Sequence, residues 1–299
     1  MSILSGDERI AKQIDATGIE NGHVKLRSGT PMKILMTTLT FIAGIVIVLL
    51  MWQLMGWYVN EYMDISLRFP YPAESIGWVI TCIADGTKVY GATIMQHVAA
   101  SLRRVIIAFF MAAVVGITLG IILGYFTKLY PIGIIPVTVF QSIPGMAWVP
   151  IALLLLCGIG GDSYSLFIIF AVSVTVITIN VSGGIRAMPD VITRAAGMMG
   201  ASGAVMFVKI LIPYASISII NGLRLGLGSA WRVLIAAEML IGTGIGLGSS
   251  MELLRDELNF IGAFGCIVII VIIGLIIDKV IFSAIEKAMR HRLGLEEGF

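Results

Sequence analysis

Charged residues are scarce in this chain. Of its 299 residues only 13% are Asp, Glu, Lys or Arg, whereas 58% are hydrophobic. A soluble globular protein has about 25% charged and about 45–50% apolar residues, so roughly half of the usual charge is missing. This balance excludes a surface that faces water all round. It also excludes intrinsic disorder, which requires a polar chain.

Several kinds of functional site are missing as well. The 20 basic and 18 acidic residues leave a formal net charge of +2. That charge is too small for the positive field that nucleic-acid binding needs, so we expect no nucleic-acid partner. Cys82, Cys157 and Cys266 are far apart in apolar segments, which predicts buried small side chains rather than disulfides. The three histidines share no ligand spacing, so no metal site is expected.

Motifs of catalysis and of nucleotide binding are absent too. No GxxxxGK[ST] phosphate loop occurs, so we expect that the chain does not itself bind ATP in the P-loop manner. No set of Ser, His and Asp residues suggests a nucleophile with its base, which speaks against a membrane-embedded enzyme. The run GTGIGLG at 242–248 follows a helix-length apolar run instead of a strand. It therefore predicts a flexible turn and not a dinucleotide fingerprint.

Long apolar runs are abundant. A helix needs about 20 apolar residues to cross a bilayer core of about 30 Å, where no water can hydrogen-bond the backbone. Five runs reach or approach this length: Ile34 to Val59, Val105 to Tyr125, Tyr164 to Val181, Ile217 to Met239 and Ile261 to Phe282. A sixth, from Ile132 to about Ile159, is interrupted by prolines at 136, 144 and 150, which predict a bent helix. The sequence therefore predicts an all-α polytopic membrane protein with six transmembrane helices.

Basic residues predict the orientation of these spans. With the amino terminus inside the cell, the outer segments hold only Arg68, Lys88, Arg103, Arg104 and Arg255, and most of the other basic residues lie inside. Both termini are therefore predicted to be cytoplasmic. The predicted order is a cytoplasmic tail 1–33, a first transmembrane helix 34–59, an extracytoplasmic loop 60–102 with short helical pieces, a core transmembrane domain 103–283 with a cytoplasmic loop 182–215, and a cytoplasmic tail 284–299.

The stretch DVITRAAGMMGASGAVMFVKILIP at 190–213 is the most informative part of the predicted cytoplasmic loop. Apolar residues at helical spacing over 191–199 predict a short helix, and Gly200 predicts its end. Ser202 suits the N-cap of a second short helix. The pattern leaves two interpretations open. The segment is either an amphipathic hairpin that lies on lipid, or a knob that fits the groove of a partner protein.

Four segments resemble one family. Ala195-Ala196, three residues, Gly200, nine residues, Ile210 and then Pro213 resemble the EAA loop of the inner-membrane permease subunits of binding-protein-dependent ABC importers. SIPGMAWVPIALLLLCGIG at 142–160 is similar to the third-span pattern of the nitrate, sulfonate and taurine branch. GLRLGLGSAWRVLIAAEML at 222–240 is similar to the fifth span of that branch, and SLRRVIIAFFMAAVVGITLG at 101–120 to its second. The resemblance covers about 101–292.

This resemblance implies a MetI-like permease fold and a set of partners. Two permease copies, expected to be a homodimer, form the path in the bacterial or archaeal plasma (inner) membrane. Two ABC ATPase subunits bind ATP and magnesium, an extracytoplasmic substrate-binding protein delivers the solute, and this chain binds no cofactor. The implied solute is a small anion such as nitrate, a sulfonate, taurine or bicarbonate, and a vitamin precursor is the alternative within the branch. A secondary transporter is the competing class, but it gives no reason for the EAA-like loop.

The resemblance also assigns residues. The residues of the implied ATPase-coupling loop are Arg194, Ala195, Ala196, Gly200, Ala201, Ile210 and Pro213. Arg194 departs from the family, which usually has Glu there, so an ion pair made through that Glu cannot be carried over. Ile212 stands where Leu is usual. A bulky residue in place of Gly200 is expected to leave the permease folded but uncoupled.

The fifth span contains isolated charges, at Arg224, Arg232 and Glu238. Each would cost at least about 2.5 kcal/mol in lipid, so these groups are expected to face protein or water. Either they form a charge network that holds helices together, or the arginines line a path for an anion. Glu238, at the outer end, is an alternative candidate for an outer gate. The full set of candidates for the path is Arg224, Trp231, Arg232, Glu238, Gln141 and Trp148, with packing as the alternative for the last two.

Small residues recur every fourth position in the second span, at Gly116, Gly120 and Gly124. This spacing places the three glycines on one face of a helix, where another helix can approach closely. The pattern predicts helix packing and gives no information about a substrate.

Overall fold

The chain divides into two units, residues 1–64 and 65–299. The computed structural model describes residues 19–20, 23–24, 31–63 and 67–292. In the first unit, strand β1 (Ile19–Glu20) pairs antiparallel with β2 (His23–Val24), and helix α1 (Pro31–Tyr62) follows. Its part Thr38–Tyr62 is long and apolar enough to cross a membrane, as predicted for the first span. The rest of the predicted amino-terminal tail lies outside the described residues.

The described part of the second unit is helical apart from one short β-hairpin. Its elements are α2 (Pro72–Ala84), β3 (Lys88–Val89), β4 (Ala92–Thr93), α3 (Ile94–Tyr125), α4 (Tyr130–Ser142), a 3₁₀ turn (Gly145–Ala147), α5 (Trp148–Leu155), α6 (Ser163–Arg186), α7 (Asp190–Met198), α8 (Gly203–Met206), α9 (Ile212–Ile241), α10 (Leu247–Asp256), α11 (Phe260–Leu275) and α12 (Ser283–Arg292). Two π-helical segments, Phe207–Leu211 and Ile276–Phe282, connect α8 with α9 and α11 with α12.

The predicted spans are confirmed in number and kind. Within the described residues five helices are long and apolar enough to cross a membrane, and a bent pair, Tyr130–Ser142 with Gly145–Leu155, brings the number to six if it forms one span. The two parts of this pair meet at 93°. The bend follows from Pro144, which has no backbone N–H and favours extended backbone in the residue before it. Ile143 is extended, with φ −73° and ψ 122°.

Helix α3 begins earlier than the apolar run predicted. Thr93 and Gln96 form a capping box: the Gln96 amide N–H donates to Thr93 Oγ1 (3.4 Å), and the Thr93 amide N–H donates to Gln96 Oε1 (2.8 Å). Each side chain thereby satisfies a backbone group that a helix start leaves free. The predicted extracytoplasmic loop 60–102 therefore contains α2, the β-hairpin of β3 and β4, and the first turns of α3.

The centre of the second unit is the contact between α3 and α6. Gly116, Gly120 and Gly124 face Ile177, Val181 and Ile185, and a Cβ atom built on these glycines would lie 2.9, 2.6 and 2.8 Å from the Cβ atoms of those residues. No larger side chain fits at this separation of the two helices. The predicted packing role of the three glycines is confirmed.

Three expectations differ from the structure. The predicted loop 182–215 is shorter, because α6 continues to Arg186 and α9 begins at Ile212. Residues 284–292 of the predicted tail are helical, and Glu286 within them is joined to α9 by an ion pair with Arg224; residues 293–299 lie outside the described residues. Cys82 and Cys266 are buried as predicted, but Cys157 is exposed, because α5 ends at Leu155 and Cys157 falls in the turn that follows.

Candidate functional site

Helix α7, the turn at 199–202 and helix α8 form a helical hairpin, as the sequence predicted. The amide N–H of Ala201 donates to the carbonyl oxygen of Ala196 (3.0 Å), and the amide N–H of Gly200 donates to that of Gly197 (3.0 Å). These two bonds define a Schellman motif, which requires left-handed backbone at the residue after the C-cap. Gly200 supplies it with φ +84°. The motif explains physically why glycine stands at position 200.

The faces of α7 differ in exposure. Ala196 is buried at 2% exposure and Ala195 is half-buried, whereas Arg194 is exposed. Arg194 makes no hydrogen bond or ion pair with any residue in the described part of the chain. The hairpin therefore rests on its alanine face and presents Arg194 to the surroundings.

Two aromatic side chains just after the helical hairpin contact the ends of the long helices α3 and α6. The ring of Phe207 meets the ring of Tyr125, the last residue of α3, edge to face at 5.6 Å. The hydroxyl group of Tyr214 donates to the carbonyl oxygen of Ala187 at the end of α6 (3.1 Å). Ser202 has the extended backbone of an N-cap, but its side chain makes no capping hydrogen bond. The segment that follows the helical hairpin is thus attached to the ends of α3 and α6, at the end of the helical unit that we call the hairpin end.

The two remaining residues of the predicted coupling loop lie where α8 continues into α9. Ile210 is half-buried in the π-helical segment, and Pro213 stands in the first turn of α9. Proline is tolerated in the first turn of a helix. Here the π-helical segment runs directly into α9, so the N–H that Pro213 lacks would have pointed into that segment. The hairpin passes into the membrane span without an intervening loop.

Arg224 links α9 to the end of the last span. Its Nε donates to Asp278 Oδ1 (2.7 Å), and its Nη1 donates to Glu286 Oε2 (3.3 Å). Its Nη2 donates to the backbone carbonyl of Asp278 in the second π-helical segment (3.3 Å). These contacts favour the charge-network interpretation for Arg224.

Glu238 is fully buried near the other end of α9. Arg104 Nη1 donates to Glu238 Oε1 (2.6 Å), the Ser101 hydroxyl lies 2.8 Å from Oε2, and the Gly248 amide donates to Oε2 (2.9 Å). Gly246 also packs against this carboxylate, since a Cβ atom there would lie 2.8 Å from Glu238 Cδ. The predicted turn at 242–248 is present but shorter, at 242–246, because α10 begins at Leu247, and Gly246 and Gly248 let the backbone approach Glu238.

Arg104 also pairs with Asp162 at the start of α6, through Nε to Oδ1 at 2.7 Å. His97 joins this group: its Nε2 donates to the carbonyl oxygen of Val89 (2.8 Å), and its Nδ1 accepts from the amide of Gly246 (3.0 Å). We call His97, Ser101, Arg104, Asp162 and Glu238 the far-end cluster. It connects β3, α3, α6, α9 and α10 at the end opposite the hairpin.

Sequence reasoning missed most of the far-end cluster, although a signal was present. Counting back by fours from Gly116 gives Ala112, Ala108 and Arg104, all of which are buried. Arg104 therefore lies on the same face as the packing glycines. The adjacent Arg103 faces outward, with its side chain 72% exposed, and reaches Asp162 only at 3.3 Å.

Arg232 differs from the other two charges of the fifth span. It is exposed, and its side chain donates only to Ser229 Oγ (3.3 Å) among the described residues. The exposed residues of α9 between 221 and 240 are Asn221, Leu225, Arg232 and Leu240. Their spacing places them on one face of the helix. On that face, Arg232 forms no ion pair with any described residue of the same chain.

The other candidates for a path have different surroundings. Trp231 is buried and its Nε1 donates to the carbonyl oxygen of Ile270 (3.1 Å), which favours packing. Trp148 is buried beside the rings of Phe140 and Phe167. Gln141 is exposed near the end of α4. Gly145 at the bend packs against Val233, next to Arg232, so the bend of the third span lies beside the charged part of α9.

Known proteins match the part of the chain that carries these features. A family model described as binding-protein-dependent transport system inner membrane component matches residues 116–291. The taurine transport system permease protein TauC of Escherichia coli (strain K12) is 32% identical over 225 residues, which are 74% of this chain and 80% of TauC. The nitrate import permease protein NrtB of Synechocystis sp. is 35% identical over 183 residues, 61% of this chain and 65% of NrtB.

A solved structure supports the fold. A chain of the MetNI methionine ABC transporter, in an inward-facing conformation, matches with a TM-score of 0.57 and 20% sequence identity. The match covers 66% of this chain and 95% of that chain. At this identity the likeness shows the fold alone, and it confirms the MetI-like fold that the sequence motifs implied.

Proposed function

The chain belongs to the family of binding-protein-dependent transport system inner membrane components, and from this premise we propose how it acts as the permease subunit of an ABC importer. Members of this family work in the inner membrane with an ATPase component and a substrate-binding protein. We propose that two copies of this chain form the path, and that two ATPase subunits bind ATP and magnesium. The lack of a phosphate loop in this chain supports ATP hydrolysis on the partner.

The helical hairpin is the proposed contact with the ATPase. The observation that carries this proposal is the Schellman turn at Gly200, which fixes α7 relative to α8. Helix α8 passes through a π-helical segment into α9, the helix that contains Arg232. A displacement of the hairpin is therefore transmitted to the span that faces the proposed path. ATP and the loaded binding protein would each favour one of two arrangements of the spans.

The proposed solute is a small anion. Arg232 supports this because it is an exposed cation within a span, at the face of α9 that no described residue of the same chain neutralises. A charged group in this position has to face water, a partner chain or a solute. The names of the relatives NrtB and TauC support an anionic group on the solute, since nitrate is an anion and taurine carries an anionic sulfonate beside its ammonium group.

Replacement of Gly200 by Leu tests the hairpin assignment. A leucine at φ +84° is strained by about 1–2 kcal/mol, so the turn must rearrange and tilt α7. We expect the complex to assemble but to lose the stimulation of ATP hydrolysis by the loaded binding protein. Gly197→Leu is the matched control, because a Cβ atom meets nothing within 4 Å at either glycine and only Gly200 has positive φ. Equal stimulation in both variants would contradict the assignment.

A further inference from the structure

A cavity of about 610 Å³ lies at the end of the second unit opposite the hairpin end, which is predicted to face outside the cell. It is bounded by the first turns of α3, the residue before α6 and the turn between α9 and α10. Cavities that bind small molecules usually have volumes of about 300–1,000 Å³ and a few polar groups that converge on the ligand. We call this space the far-end cavity.

Two guanidinium groups with free donors line the far-end cavity. The Arg104 side chain is 6% exposed, and its Nε and Nη1 donate to Asp162 and Glu238. Its Nη2 makes no hydrogen bond within the described part of the chain. Arg103 is exposed, and its only hydrogen bond among the described residues runs from Nη2 to Asp162 Oδ2 (3.3 Å). Because a guanidinium group has five N–H donors, both arginines have donors left for a bound anion.

Asp162 gives the far-end cavity an acceptor as well. Its side chain is 31% exposed, and each of its two carboxylate oxygens accepts one hydrogen bond from an arginine. An ionised carboxylate has about four lone-pair sites, so capacity remains for a further donor. An ammonium group in the cavity therefore finds an acceptor beside the two arginines.

The charges around the cavity favour a zwitterion over a simple anion. Arg103 and Arg104 are balanced by Asp162 and by Glu238, which lies behind Arg104, so the four groups carry no net formal charge. A nitrate ion is attracted by the arginines but repelled by Asp162. A molecule with an anionic group and an ammonium group a few bonds apart meets a group of opposite sign at each end.

Small residues leave room beside the charged groups. Ala99 and Ala100 line the cavity, and Ala99 is exposed. Ala99 lies four residues before Arg103 and Ala100 four residues before Arg104, so each alanine shares a helix face with one arginine. A longer side chain at either position would occupy part of the cavity without changing its charge.

We infer that the far-end cavity is a binding site for the solute, and that this solute is a small zwitterion whose anionic group binds Arg103 and Arg104 and whose ammonium group binds Asp162. The inference rests on the proposed function and narrows it, because the solute must bear an ammonium group as well as an anionic one. Taurine, with a sulfonate and an ammonium group, has this chemistry, whereas nitrate does not.

Two ligands that differ in one group test the inference. Taurine and ethanesulfonate, which lacks the ammonium group, are titrated by saturation-transfer NMR onto the complex of permease and ATPase in nanodiscs, without the binding protein. We expect taurine to bind more tightly than ethanesulfonate. Asp162→Asn is expected to raise the dissociation constant of taurine up to about fivefold, the size of an exposed ion pair, and not to weaken ethanesulfonate. Arg103→Gln is expected to weaken both ligands by a similar factor.

Three further measurements separate the site from a general effect on folding or charge. Ala99→Leu is expected to weaken taurine binding severalfold and to keep the thermal unfolding midpoint, because Ala99 is exposed. Lys88→Gln is the matched control for Arg103→Gln, since it removes a positive charge from an exposed residue near the same end that does not line the cavity. If Asp162→Asn does not fold, the two ligands and the variants of Arg103 and Ala99 still test the site.

Four outcomes would overturn the inference. They are no saturable binding of taurine, binding of ethanesulfonate as tight as that of taurine, unchanged taurine binding in Arg103→Gln or Ala99→Leu, and an equal loss in Lys88→Gln. ATP-dependent uptake of nitrate by a complex that does not bind taurine would reject this inference and keep the proposed function. Taurine binding with the expected losses, together with uptake that needs no ATP, would keep the cavity as a binding site and reject the proposed function.

Discussion

Replacement of Arg104 by Ala is expected to destabilise the protein strongly, whereas the same change at the adjacent Arg103 is expected to be nearly neutral. The Arg104 side chain is 6% exposed and pairs with fully buried Glu238 at 2.6 Å. Its removal leaves a carboxylate whose remaining donors, among the residues that the structure describes, are Ser101 and Gly248. Breaking a buried ion pair by removing one partner costs about 3–5 kcal/mol.

The matched change at Arg103 removes much less. Its side chain is 72% exposed and lies 3.3 Å from Asp162, and an exposed pair of this kind contributes about 0.2–1 kcal/mol. The assay is thermal unfolding of the purified permease in detergent. At about 2–4 °C per kcal/mol, Arg104→Ala is expected to lower the midpoint by roughly 6–20 °C and Arg103→Ala by at most a few degrees.

A second change tests the cause of this loss. Glu238→Gln removes the charge that Arg104→Ala leaves buried, so the double variant is expected to recover part of the lost midpoint. Equal midpoints for the two arginine variants, or no recovery in the double variant, would refute the ion-pair reasoning.

Two further changes test the packing and the proposed path. Gly120→Ala is expected to lower the unfolding midpoint, because its Cβ would lie 2.6 Å from Val181 Cβ and overpacking of this kind typically costs about 1–3 kcal/mol. Gly183→Ala is the control, since a Cβ atom there meets nothing within 4 Å. Equal midpoints for the two variants would contradict the close approach of α3 and α6. Arg232→Gln is expected to keep the unfolding midpoint and to slow import. Arg224→Gln loses its ion pair with Asp278 and is expected to lower the unfolding midpoint. Unchanged import by Arg232→Gln would show that this residue does not line the path.

The transmembrane spans could be predicted from the sequence because a bilayer requires apolar helices of a minimum length. Apolar length predicts where a helix crosses the membrane, and Pro144 predicts the bend of the third span. The same criterion placed the start of α3 at Val105, because Arg103 and Arg104 interrupt the apolar run. The structure continues this helix back to Ile94, since the capping box at Thr93 favours a start there and Arg104 finds a buried partner.

The two regions of interest differ in how far they can be predicted. The helical hairpin depends on contacts within a few residues, so Gly200 and the spacing around it were sufficient to predict it. Arg104 and Glu238 are 134 residues apart in sequence. Their pairing depends on how α3 and α9 pack, and no local pattern contains that information. Position on the glycine face of α3 identifies Arg104 as buried, but it does not identify the partner.

ATP dependence of uptake is the most direct test of the central claim, that this chain forms a path whose opening is driven through the helical hairpin by a separate ATPase. Proteoliposomes containing the permease and its ATPase subunits would be supplied with the loaded binding protein and labelled taurine or nitrate. We predict uptake only when ATP, the ATPase subunits and the binding protein are all present. Uptake by the permease alone, driven by an ion gradient, would contradict the account and indicate a secondary transporter.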